Sequence, residues 1–369
     1  MAFASQAAMF DFPTDNRALL EDRPQDFYMY VDRNFEGVST KVWEGGSFGY
    51  VRGPQRQGED VIYLQLHEGI DIAPMRRDGS GKPLDDIRAS AAGKIAHVSH
   101  EAGGSNYGRY IVIEHDIEGS PVYTLYAHLS TISVETGQNV AQGEVIGRMG
   151  FTGAGINCER AHLHFEIALL LNTDFESWYK RYFSGTPNKH GPYHGYNLSG
   201  IDPAKVLLEC ARNPTFQFSN YIRGQDAFYK ITIPATSSLS ILRSYPWLAP
   251  NGEEASPPAW TIAFNRYGTP MCATASPKAA SAPEIAWIRE TPFAYNHTTR
   301  GIIGGSKGGP RLTDSGKRFL DLLARTDQKN SLDNQISKRL ACSNVPCIFT
   351  PSYGKNSMAR AQQAQTENS

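Results

Sequence analysis

Between about residues 43 and 170, apolar positions come in short alternating or continuous runs divided by glycine-bearing turns: Tyr63 to Leu66, Lys94 to Ser99, Tyr110 to Glu114, Val122 to Ala127 and Leu163 to Leu170. Runs of this length, rich in Ile, Val and Tyr, predict strands, and the turns between them predict an antiparallel β-domain. Asp174 to Phe183 reads as a short aromatic-rich helix. Asp202-Pro203 supplies a cap and a first-turn proline for a second helix running through Cys210. Upstream, residues 1 to 36 read as an irregular arm with one helical turn at Arg17 to Leu20.

Past Asn213-Pro214 the pattern changes. Tyr229 to Ile233 and Trp260 to Phe264 are strand-like, Ala273 to Pro283 is a small-residue loop bearing proline, and Gly304 to Pro310 is a flexible link. Leu312 to Leu323 predicts a helix, capped by Thr313 or Asp314 and apolar along Phe319, Leu320, Leu322 and Leu323. From Ser352 the chain is polar and predicts a disordered tail. The resulting division is an arm (1–36), a β-rich domain (37–212), an α+β accessory domain of unknown role (213–351) and a tail (352–369). The fold class is mainly β. Short strands plus a capped helix resemble a winged helix, but no basic recognition helix accompanies them, so a scaffold or accessory binding role is preferred.

Composition narrows the functional class. The 369 residues carry a net charge of -1, which argues against a dedicated nucleic-acid or anionic-membrane partner. No apolar run is long enough to span a bilayer. Cys158, Cys210, Cys272, Cys342 and Cys347 are too scattered for a disulfide scaffold, although Cys342 and Cys347 would close a small loop in an oxidising compartment. Ala2-Phe3-Ala4 before Ser5-Gln6 has the small-x-small pattern at the end of a secretion signal, so a periplasmic or secreted protein whose signal has been removed is expected.

Two segments carry the chemistry: His67-Glu68-Gly69-Ile70-Asp71 and Ala161-His162-Leu163-His164-Phe165-Glu166. On a strand, His162 and His164 share a face while Leu163 and Phe165 turn to the core. The first segment opens like the helical H-E-x-x-H zinc signature, but its fifth residue is Asp71. Gly69 and the flanking Ile and Val residues favour a strand, a tight turn at Glu68-Gly69 and a second strand from Ile70. His67 and Asp71 then add an imidazole and a carboxylate to the histidine pair. Three protein ligands with one position open to water would make a catalytic rather than a structural zinc site.

With Asn106-Tyr107-Gly108-Arg109-Tyr110, Tyr126-Ala127-His128-Leu129, Gly137-Gln138-Asn139-Val140 and Gly143-Glu144-Val145-Ile146-Gly147 between them, these segments resemble the lysostaphin/LytM-type zinc metallopeptidases of bacterial cell walls. The resemblance covers roughly residues 45 to 170. It implies Zn2+ ligands at His67, Asp71 and His164, with His128 and His162 beside the metal as general base and oxyanion donor in either order. It also implies an endopeptidase that cuts peptide cross-links of peptidoglycan. A non-catalytic module of the same fold that binds wall peptides or activates a hydrolase is the alternative. Glu166 is the candidate for fixing an imidazole tautomer, and Tyr126 and Asn106 are candidate outer contacts or substrate contacts. His190 and His194 follow closely enough to rim a groove. The excursions 75–86 and 150–160 are longer than the family pattern and are expected to form groove walls. Asn16 or Asn34 is a candidate plug for the fourth metal position. The bond cut, the oligomeric state and the role of the arm are not legible in the sequence.

Overall fold

In the computed structural model, which describes residues 8–234, 239–250 and 257–325, a seven-stranded antiparallel sheet organises the first part of the chain. Its order is Asn139–Val140, Gly93–Ser99, Tyr110–Ile117, Ser120–Ala127, Leu163–Leu170 and Leu198–Ile201. Ile70–Ile72 also pairs with the near half of Leu163–Leu170. The expectation of a mainly β, antiparallel domain is borne out: four of the predicted strands differ from these only at their ends, and the fifth, Tyr63 to Leu66, lies in the separate strand Asp60–His67.

Alternation divides the sheet into two packed faces. Ile111, Ile113, Tyr126, Phe165 and Ile167 point into the main core, whereas Tyr110, Val112, Leu125, Ala127 and Ala168 form a smaller cluster behind it. His164 and Glu166 share the second face, at the sheet end where Leu163, His164 and Phe165 pair with Ile72, Asp71 and Ile70. Register alone therefore sets His164 directly opposite Asp71.

A two-stranded hairpin, Gly49–Gln57 with Asp60–His67, leads into Ile70–Ile72 through the expected turn at Glu68-Gly69. The helix Phe175–Tyr182 follows the sheet's long strand, and Pro203–Arg212 begins at Asp202, whose carboxylate accepts from the Lys205 amide. Further on, Pro270–Ser276, Ala259–Phe264, Tyr229–Pro234 and Glu284–Ile288 make a four-stranded antiparallel sheet. Part of the predicted 273–283 loop is thus strand: Ala273 to Ser276 pair with the neighbouring strand, because their small side chains fit a half-buried edge. The last described helix, Asp314–Ala324, is capped by Thr313, whose hydroxyl accepts from the Gly316 amide.

The main apolar cluster runs from Phe10 to Leu323 without a break between the sheets. The arm contributes to it: Phe10, Phe12 and Phe27 are buried, so the segment is less irregular than its pattern suggests. Asn16 is buried too, with its amide donating to the carbonyls of Asp26 and Ala73, and Asn34 lies in the Val31–Phe35 strand. Asn16 is therefore engaged elsewhere and does not plug the metal position. The predicted tail from Ser352, the Cys342–Cys347 loop and the Ala2-Phe3-Ala4 motif lie outside the described residues.

Candidate metal centre

Three elements deliver the cluster: the end of Asp60–His67, the strand Ile70–Ile72 and the start of Leu163–Leu170. His67 Nε2 lies 3.1 Å from Asp71 Oδ1 and 3.1 Å from His164 Nδ1, and His164 Nδ1 lies 3.0 Å from Asp71 Oδ1. All three residues are buried. Gly69 makes this convergence possible, since a Cβ there would lie 2.4 Å from the Phe165 carbonyl oxygen and 2.9 Å from Glu166 Cγ.

Acceptor-only partners set the tautomers. The Ser47 carbonyl accepts from His67 Nδ1 at 2.8 Å, and the Glu166 carboxylate accepts from His164 Nε2 at 2.9 Å. Each neutral ring therefore turns a bare nitrogen lone pair toward the other and toward a carboxylate oxygen. Three lone-pair donors at such spacing repel one another unless positive charge sits among them. The two-imidazole, one-carboxylate donor set and its geometry suit a divalent ion of zinc's size, with bonds of about 2.0–2.2 Å. Among the described residues this is the group of His, Asp and Glu side chains able to hold a metal ion.

The electrostatics express the same demand for a cation. Burial works against charge on His164, yet Asp71 and Glu166 on its two nitrogens push its pKa up to about 9. Burial would also raise Asp71, but the surrounding imidazoles hold it well below the usual carboxylate range. His67, buried and beside Arg52, is lowered, with burial the main cause.

His128 and His162 flank the cluster with ring centroids 4.8 Å apart. His128 Nδ1 donates to the Thr152 carbonyl at 2.9 Å, and His162 Nδ1 donates to that of Arg160 at 2.6 Å, so both rings turn Nε2 toward the cluster. His162 Nε2 lies 3.4 Å from Asp71 Oδ1. Burial first, then the neighbouring imidazoles, pushes His128 well below its ordinary value, so it stays a neutral base. Its backbone has φ of 64°, a left-handed conformation uncommon for histidine.

That turn corrects one expectation. A spacing of two residues would set Tyr126, a candidate outer contact, on the His128 face, but the strand ends at Ala127 and His128 swings out of alternation. Tyr126 faces the core instead, where its hydroxyl accepts from the Ser90 amide and lies 3.0 Å from Thr124 Oγ1. Asn106, exposed, lines the cleft, and Glu166 bonds His164 as anticipated. His190 and His194 also line it. Two residues were missed. Tyr107 donates from its hydroxyl to Glu166 Oε1 at 2.7 Å, and Arg52 reaches Asp71 Oδ2 at 2.5 Å. Tyr107 was visible as part of the Asn106-Tyr107-Gly108 motif, whereas Arg52 sits at a β-bulge between Tyr50 and Arg52 that no pattern announces.

The cleft over the cluster has a volume of about 710 Å³ and is walled by segments 105–107, 154–160 and 190–195. The 75–86 excursion acts indirectly: Arg77 donates to the carbonyls of Cys158 and Glu159 and so braces the wall that does line it. No helix among the described residues is long and apolar enough to cross a membrane.

Residues 65–174 match the family model described as Peptidase family M23. An uncharacterized metalloprotease of Haemophilus influenzae is 34% identical over 114 residues, covering 31% of this chain and 21% of that protein. The peptidoglycan DD-endopeptidase ShyA of Vibrio cholerae is 43% identical over 60 residues, 16% of this chain and 13% of its own length. The murein hydrolase activator NlpD of Salmonella dublin is 34% identical over 101 residues, 27% of this chain and 22% of its own. The chain thus spans 13% to 22% of these relatives. The lysostaphin/LytM resemblance holds over residues 65–174, the segment similar to M23-type domains.

Proposed function

We propose that this M23-type domain is a zinc endopeptidase acting on peptide cross-links of bacterial peptidoglycan, in the periplasm or outside the cell. The observation that supports it most is completeness. The proposed ligand set His67, Asp71 and His164 is whole, and two further imidazoles, each anchored at Nδ1, line the same cleft.

Zinc held by those three side chains would supply Lewis acidity, polarising a carbonyl and bringing the pKa of water to about 7. The chain's own groups divide the remaining work. His128, neutral and bare at Nε2, takes the proton from the attacking water and passes it to the leaving amine. His162, whose Nδ1 is held by the Arg160 carbonyl and whose Nε2 faces the cleft beside Asp71, donates to the developing oxyanion. Glu166 and the Ser47 carbonyl keep His164 and His67 in the tautomers that leave their inner nitrogens free, and Tyr107 orients Glu166.

The likeness to a hydrolase activator favours a second reading, in which the cleft engages wall peptides or switches on a partner enzyme without cutting. Metal analysis with digestion of purified peptidoglycan separates the two. We expect His67→Ala to lose both metal and cleavage, while His128→Ala retains metal and loses about 10²- to 10⁴-fold in rate. Zinc-loaded protein that releases no fragments from sacculi would leave the activator reading standing.

A further inference from the structure

The cluster has a cationic neighbour supplied by the chain itself. Arg52 Nη2 lies 2.5 Å from Asp71 Oδ2 and 3.2 Å from His67 Nε2. Its Nε donates to the Gly45 carbonyl at 2.8 Å, so the guanidinium is aimed rather than loosely placed. The side chain is 29% exposed where it lines the cleft, while Asp71 is nearly fully covered.

The two contacts differ in kind. The carboxylate offers Oδ2 to Arg52 and Oδ1 to the two imidazoles, so that ion pair is compatible with a metal at Oδ1. The contact to His67 is not. Its Nδ1 hydrogen is given to Ser47, which leaves a single lone pair at Nε2, and that lone pair either accepts from Arg52 or binds a metal.

We propose that Arg52 is an internal counter-cation for the ligand set: it holds His67 and Asp71 together, and zinc must displace it from His67 on binding. This rests on the reading of His67, Asp71 and His164 as zinc ligands. Two effects then act in one direction. Zinc binding costs a charge-assisted hydrogen bond, and the incoming dication meets a guanidinium that stays on Asp71 Oδ2. Arg52 therefore preassembles the site while lowering its affinity, so that the metal exchanges more readily than from the three ligands alone.

The test is a zinc titration of the full chain and of Arg52→Met, read by a competing chelator and by thermal unfolding with and without zinc. We expect Arg52→Met to bind zinc about tenfold more tightly, as loss of one competing charge-assisted hydrogen bond implies. Its zinc-free form should unfold at lower temperature than zinc-free wild type, and the gap should narrow when zinc is added. Arg52→Lys, which keeps the charge without the fork that spans both partners, should fall between and serves if the methionine variant does not fold. Equal or weaker zinc binding by Arg52→Met, or by Arg52→Lys in its place, overturns the proposal. Failure of wild type itself to bind zinc would instead defeat the ligand assignment on which it rests.

Discussion

Gly69 occupies a position from which every larger residue is excluded. Its neighbours are the Phe165 carbonyl and the Glu166 side chain, both fixed by the sheet, so a methyl group would have to push apart the hairpin that brings His67 to Asp71. Gly69→Ala is expected to cost about 1–3 kcal/mol and to lower zinc retention, measurable by denaturant unfolding and metal content. His115 marks a different sensitivity. It is buried between the Ala92 carbonyl at 2.9 Å and Thr124 Oγ1 at 2.7 Å, and burial drives its pKa down to about 4. The folded chain holds it neutral, whereas the unfolded chain protonates it near 6.5. Its contribution to stability is therefore complete above about pH 6.5 and is lost as pH falls toward 4, by roughly 3 kcal/mol in all. Unfolding midpoints taken from pH 7 to 4.5 should show that decline, and His115→Gln should flatten it.

Among the elements, those whose ends carry their own chemistry were the ones a reader of the sequence would find. Thr313 caps Asp314–Ala324 as its position before the apolar stripe predicts, and Thr313→Ala should cost about 1 kcal/mol by chemical denaturation. Asp202-Pro203 likewise starts Pro203–Arg212, and the period of two in Leu163–Leu170 was enough to put His164 on a face away from Phe165. Counting failed where the backbone leaves its regular path. The left-handed turn takes His128 off the face on which Tyr126 packs into the core, and the bulge between Tyr50 and Arg52 brings beside Asp71 an arginine that alternation would not single out. Both irregularities lie at the metal cluster. Tertiary contacts, not the local pattern, hold them there: the His128 amide donates to the Tyr107 carbonyl at 2.9 Å, and the Arg300 amide donates to the Tyr50 hydroxyl at 2.7 Å.

For the molecule as a whole, residues after 213 reach back into the part that bears the cluster. The Tyr245 hydroxyl accepts from the Leu170 amide at 2.8 Å, Asn172 donates to the Leu322 carbonyl at 2.7 Å, and Arg300 approaches Glu68, next to His67, at 3.4 Å. A chain ending at residue 213 would expose the apolar surface that the later residues cover and would cost about 1–3 kcal/mol for each such group that stays buried without a partner. It is expected to show no cooperative thermal transition by circular dichroism, and a sharp transition near that of the full chain would refute this. The pairing of His164 with Asp71 has a consequence on another timescale. Because these two residues are direct partners across adjacent strands, gaining or losing one residue in either strand would replace one of them by its hydrophobic neighbour. Lineages carrying this cluster can then change length only outside 70–72 and 163–166, so evolutionary insertions should gather in 75–86 and 150–160, where the gene is free to drift without breaking that pairing.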